Sequence, residues 1–177
     1  MLYKFRKILC ENNEEKILKY LLNLLNKGTN INEIDNEGKT PLMSLIRRSC
    51  HYNTYIFVFT KYGADINKVN NKGETPFYLA CKYACKSTIE SLIQHGSDIN
   101  KFDNEGNTSL FVLCDKDNYS RVGELIEDLI KQGANINKRN NKGETALFRL
   151  CSWASEYTII IFSKQIYMYI FIGCLFK

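Results

Sequence analysis

The chain has 177 residues, enough for one domain with a buried core, and it is 45% hydrophobic and 24% charged with only two prolines, a balance that excludes a largely disordered polypeptide. Its 24 basic and 19 acidic residues leave a net charge of +5 spread along the sequence, too even for the basic stripe of a nucleic-acid binder. The first ten residues are basic and partly apolar, but Glu11 ends that run short of the roughly 7–15 consecutive apolar residues of a secretory leader, so a cytoplasmic protein with reduced thiols is expected.

In chain order, the first predicted elements are two helices, over residues 2–10 and 14–26, with no finger of their own before them. Residues 1–27 therefore read as a capping helix pair at one end of a stack. Four segments then align without gaps, at 28–42, 63–77, 96–110 and 133–147. Each opens on a glycine (Gly28, Gly63, Gly96, Gly133) that follows an apolar-periodic run, where a helix is expected to stop. An isoleucine set to point inward comes next (Ile31, Ile66, Ile99, Ile136), in a short extended stretch. An Asx-x-x-Gly turn ends at Gly38, Gly73, Gly106 or Gly143. Thr40, Thr75, Thr108 and Thr145 then stand where they can cap the following helix, and Pro41 and Pro76 occupy its first position. First glycines are 35, 33 and 37 residues apart, and all the variation falls after the threonine. The extra residues are expected in exposed loops between paired helices, around 50–54 and 115–121, where length is tolerated.

The repeat fails at its end. A fifth glycine is due at Ile166, yet residues 166–177 are apolar and hold no finger, and asparagine is absent after Tyr157. Three readings stay open for this tail. Residues 158–164 can complete the last helix pair and leave an apolar appendage. Residues 159–176 approach the length of a membrane span, but Ser163, Lys164 and Gln165 interrupt them, and a lysine near mid-membrane costs about 2.5–3.5 kcal/mol. The abrupt change of composition also fits an error in the gene model over the last dozen residues.

The four segments resemble the ankyrin repeat, with its Asp-x-x-Gly-x-Thr-Pro-Leu-His-x-Ala signature and its closing Gly-Ala-Asp-Val-Asn. The resemblance covers nearly the whole chain and implies an all-α solenoid of stacked helix–turn–helix units with hairpin-like fingers. It has about five repeats, counting the partial N-terminal one, over residues 1–165. The sequence departs from the family at its histidine, which is Met43, Tyr78, Phe111 or Phe148 here, and at its first alanine, which is Leu45, Leu113 or Leu150 with only Ala80 retained. A repacked core is expected. Carried over by position, the family's partner contacts fall beside the turn, on Ile34, Val69, Phe102 and Arg139, followed by Lys39, Glu74, Asn107 and Glu144. A second set at the end of the inner helix holds Arg47, Arg48, Lys82, Tyr83, Asp115, Lys116, Ser152 and Trp153. Arg, Tyr and Trp are the common interface anchors. Asn32, Asn67, Asn100 and Asn137 recur one residue after the isoleucine; family members can be hydroxylated there, and a side chain bonding the finger backbone also accounts for them.

Chemistry is harder to find. His51 and His95 are the only histidines, neither recurs, and His95 sits where a basic residue favours a helix C-terminus. Cys81, Cys114 and Cys151 share one repeat position, which reads as buried packing; with seven cysteines and no matching ligand pairs, no metal site is expected. Glu124, Glu127 and Asp128, near Arg121 and Lys131, read as a solvated helix face. The expectation is a non-enzymatic, monomeric module without cofactor that binds another protein through the concave face of fingertips and inner helices. The alternative is a membrane-tethered scaffold anchored by the tail.

Overall fold

The computed structural model describes residues 14–46, 53–115 and 119–152. Eight helices are found among them: α1 Glu14–Asn26, α2 Pro41–Ile46, α3 Asn53–Lys61, α4 Pro76–Lys82, α5 Lys86–Gln94, α6 Ser109–Leu113, α7 Tyr119–Lys131 and α8 Ala146–Cys151. Short and long helices alternate because each repeat supplies one inner and one outer helix. The inner ones pack in sequence, α2 on α4, α4 on α6 and α6 on α8, while α3 packs on α5 in the outer layer. An ungapped cluster of buried side chains runs through both layers, from Ile17 and Leu21 of α1 to Ala146 and Leu150 of α8. The solenoid thus has one continuous core, shared between neighbouring repeats.

Helix ends follow the sequence signals. Thr75, Thr108 and Thr145 are extended N-cap residues whose hydroxyls accept from the backbone N–H three residues on, and Thr40 does the same for Met43 at 3.3 Å. At Gly28 the φ angle is +73°; its N–H reaches the Leu25 carbonyl and the Thr29 N–H reaches that of Leu24, the paired closure of a Schellman motif. The same two bonds recur at Gly63, Gly96 and Gly133. Ala84 makes this turn between α4 and α5 with φ at +51° despite its side chain.

Leu45, Ala80, Leu113 and Leu150 are all buried, as a core repacked around larger residues requires. Ile31 is buried and Ile66, Ile99 and Ile136 are half-buried against the core. The stretch around them is a turn rather than simply extended, because the side chains of Asn30, Asp65, Asp98 and Asn135 each accept from the N–H two residues on. One expectation fails at the last repeat. Cys81 and Cys114 are buried and free, but Cys151 at the same position is exposed. No further repeat covers it among the described residues.

A second correction concerns the thiols. Cys85 is disulfide-bonded. An odd cysteine count does not tell which sulfurs the fold brings together. Residues 1–13, the insertions at 47–52 and 116–118, and the tail from 153 onward lie outside the described residues.

Candidate functional site

Each finger is built around its first turn residue. The backbone N–H of Asp35, Asn70, Asp103 and Asn140 donates to the carbonyl four residues on at 2.9–3.1 Å, closing the hairpin. The side-chain Oδ1 of each accepts from the N–H groups two and four residues ahead. In fingers two, three and four the other side-chain atom is matched to the residue four positions on. Asn70 and Asn140 donate through Nδ2 to the carboxylates of Glu74 and Glu144, whereas Asp103 accepts from Nδ2 of Asn107. Donor and acceptor are exchanged together between repeats.

Adjacent fingers are joined by two asparagine ladders. In the turns, the N–H of Asn71, Asn104 and Asn141 donates to the carbonyl of Glu37, Lys72 and Glu105 on the preceding finger at 2.9–3.0 Å. Their side-chain Nδ2 atoms donate to the carbonyls of Asn36, Asn71 and Asn104. At the finger base, Asn32 donates to the Gly63 carbonyl and accepts from the Asp65 N–H. Asn67 repeats this pair with Gly96 and Asp98, and Asn100 with Gly133 and Asn135. The recurrent asparagine therefore bonds the next repeat, not its own finger. Identical bonds at each step hold the fingers in register, so equivalent residues form rows.

One such row is Ile34, Val69, Phe102 and Arg139, all exposed as expected, with Ile34 at 52% and Phe102 at 51%. The Phe102 ring is partly covered by the next finger, whose Lys138 Nζ lies 4.7 Å from its centroid, a cation–π distance. The second row is corrected by the structure. Glu74 and Asn107 are buried in the finger networks, Glu144 is half-buried beside Asn140, and Lys39 pairs with Glu37.

Between fingers two and three and helices α4 and α6 lies a groove of about 440 Å³. Lys82, one of the expected contacts, lines it together with Lys72, Tyr78, Asp103, Glu105, Phe111 and Asp115. Lys82 Nζ donates to Glu74 Oε1 at 2.8 Å. Burial pushes the Glu74 carboxyl up, but the hydrogen bonds from Lys82 and Asn70 and the lysine's charge outweigh it and hold the group below its ordinary value. Tyr78 Oη donates to Asp103 Oδ2 at 2.6 Å across the repeat boundary; burial first, and this bond second, push its phenol far up. Sequence reading noticed Tyr78 only as a departure from the family's histidine, and its link to the next finger was missed. Tyr83 is exposed at the end of α4 but does not line the groove, Asp115 pairs with Arg149, and Ser152 is exposed. Arg47, Arg48, Lys116 and Trp153 lie outside the described residues.

Elsewhere, the ring Nδ1 of His95 is 2.7 Å from the Ser91 carbonyl and the ring stands edge-on to Phe57; His51 lies outside the described residues. Burial pushes the Cys114 thiol up to about 12, and that of Cys81 higher still, which keeps both protonated. Glu124 pairs with Lys86 of α5, and Lys131 lies within 4.0 Å of Glu127 and Asp128. Among the described residues no three His, Cys, Asp or Glu side chains are placed to hold a metal, and no helix is long and apolar enough to cross a membrane.

Residues 48–128 match the family model for ankyrin repeats (3 copies). The chain carries ankyrin repeats. The matched span centres on fingers two and three, and the ladders carry the same ankyrin geometry outward to fingers one and four. No curated protein matches the sequence. Ankyrin repeats are in general protein–protein interaction modules, typically without catalytic activity of their own.

Proposed function

We propose that this ankyrin protein is a non-enzymatic module that binds another protein through its concave face, with the fingertip row as the centre of contact. The observation that carries this reading is a contrast along each finger. The first turn residue of each finger has its Oδ1 engaged in holding the frame, whereas Ile34, Val69 and Phe102 are exposed apolar side chains that vary from repeat to repeat. Variation within a rigid frame is what partner specificity needs. The groove beside Lys82 adds fixed charges within reach of the same partner. No observation favours the membrane-tethered alternative, since its tail lies outside the described residues.

The test is affinity capture with mass spectrometry, comparing the wild type with a Val69→Ala, Tyr83→Ala, Phe102→Ala variant of equal melting temperature. A partner recovered by the wild type and lost from the variant supports the reading, since buried apolar anchors commonly carry 1–3 kcal/mol each, roughly a tenfold to hundredfold loss of affinity. Equal recovery from both would remove the concave face from consideration.

A further inference from the structure

We infer that the two ends of the finger stack, each presenting an unfilled half of the ladder among the described residues, pair head to tail with a second copy of this chain. Each internal step of the ladder uses four bonds, and each end of the stack presents one half of that set. On finger four, Asn137 occupies the position of Asn32, Asn67 and Asn100, yet its side chain bonds nothing among the described residues. The carbonyls of Asn141 and Lys142, equivalent to the acceptors on the earlier turns, are likewise without a donor among them. A Cβ placed on Gly73 or Gly106 would strike the asparagine of the next turn, while one on Gly143 meets nothing within 4 Å. The seat is built and empty among the described residues.

Finger one presents the complement. The N–H groups of Asn30 and Asn36, the Nδ2 of Asn36 and the carbonyl of Gly28 stand where the next finger's groups engage at every internal step, and they have no partner among the described residues. Asn137 of one copy would bridge Gly28 and Asn30 of the next, and Asn36 would donate to Asn141 and Lys142.

The helix layer agrees independently. Leu42 and Met43, Phe77 and Tyr78, and Leu110 and Phe111 are all buried, but their equivalents Leu147 and Phe148 are 40% and 59% exposed at the end of the stack. Apolar surface and an incomplete hydrogen-bond ladder therefore coincide on one end. A contact between two different surfaces of identical chains is heterologous and propagates unless it closes into a ring. This inference stands apart from the concave-face reading and departs from the monomer expected from sequence.

The experiment is sedimentation velocity on the whole chain over a concentration series, with Asn36→Ala and Asn137→Ala alone and mixed. Neither side chain bonds within its own copy among the described residues, so both variants keep the internal ladder, which matching circular-dichroism melts verify. The expected result is a wild type whose mass rises with concentration, monomeric single variants, and a mixture that stops at dimers, because each variant retains the half the other lacks. A wild type that stays monomeric overturns the inference, as it would if the chain's own tail covered the open end. Single variants that associate like the wild type overturn it equally.

Discussion

Glu74 shows how a surface-looking residue becomes part of the frame. Its side chain reaches Asn70 and Lys82 and is almost wholly shielded. From sequence it stands beside the turn, among the expected partner contacts, because neighbouring positions in a finger differ in exposure without differing in polarity. The clue that was legible is the exchange between positions: asparagine goes with glutamate in fingers two and four, and aspartate with asparagine in finger three. That pairing reads as donor with acceptor, which implies contact within the finger. The titration of Glu74 gives a direct check. Its folded pKa lies below the ordinary 4.5, so its contribution to stability is present above that value and is lost as pH falls through the folded pKa. Urea unfolding should accordingly weaken more steeply below pH 4.5 in the wild type than in Glu74→Gln. Parallel curves for the two proteins would contradict the assignment.

Fingers and helices were legible to different degrees. The glycine ends, threonine caps and turn positions follow from local chemistry, and all four repeats carry them. What joins one finger to the next was not legible, because Asn32 or Asn71 bonds a residue some 30 positions away, and only the stacked arrangement identifies the acceptor. The base ladder contains its own control. Asn67→Ala removes one bond given to Gly96 and one received from Asp98, and a net cost of about 1–2 kcal/mol is expected for two partly solvated bonds. Asn137→Ala removes no such bond among the described residues and should leave the stability of a dilute monomer within about 0.5 kcal/mol. Thermal or urea denaturation at low concentration distinguishes them, and equal losses would mean that the ladder contributes nothing to the coupling of repeats.

At the scale of the whole molecule, the stacked architecture was readable because four copies of one unit leave few alternatives. The proposed binding surface was readable only in outline. Ile34, Val69, Phe102 and Arg139 do form an exposed row, since the ladders hold their fingers in register, whereas Glu74 and Asn107 belong to the interior of the fingers. A row of knobs on a stiff scaffold suits recognition of another protein, because little conformational freedom is lost when it docks. The most direct check of this account is hydrogen exchange on the protein with and without its captured partner. Slower exchange should be confined to the fingertips at 33–37, 68–72, 101–105 and 138–142 and to the inner-helix ends near Lys82. Protection found instead on the outer helices α5 and α7, with the fingertips unchanged, would contradict it.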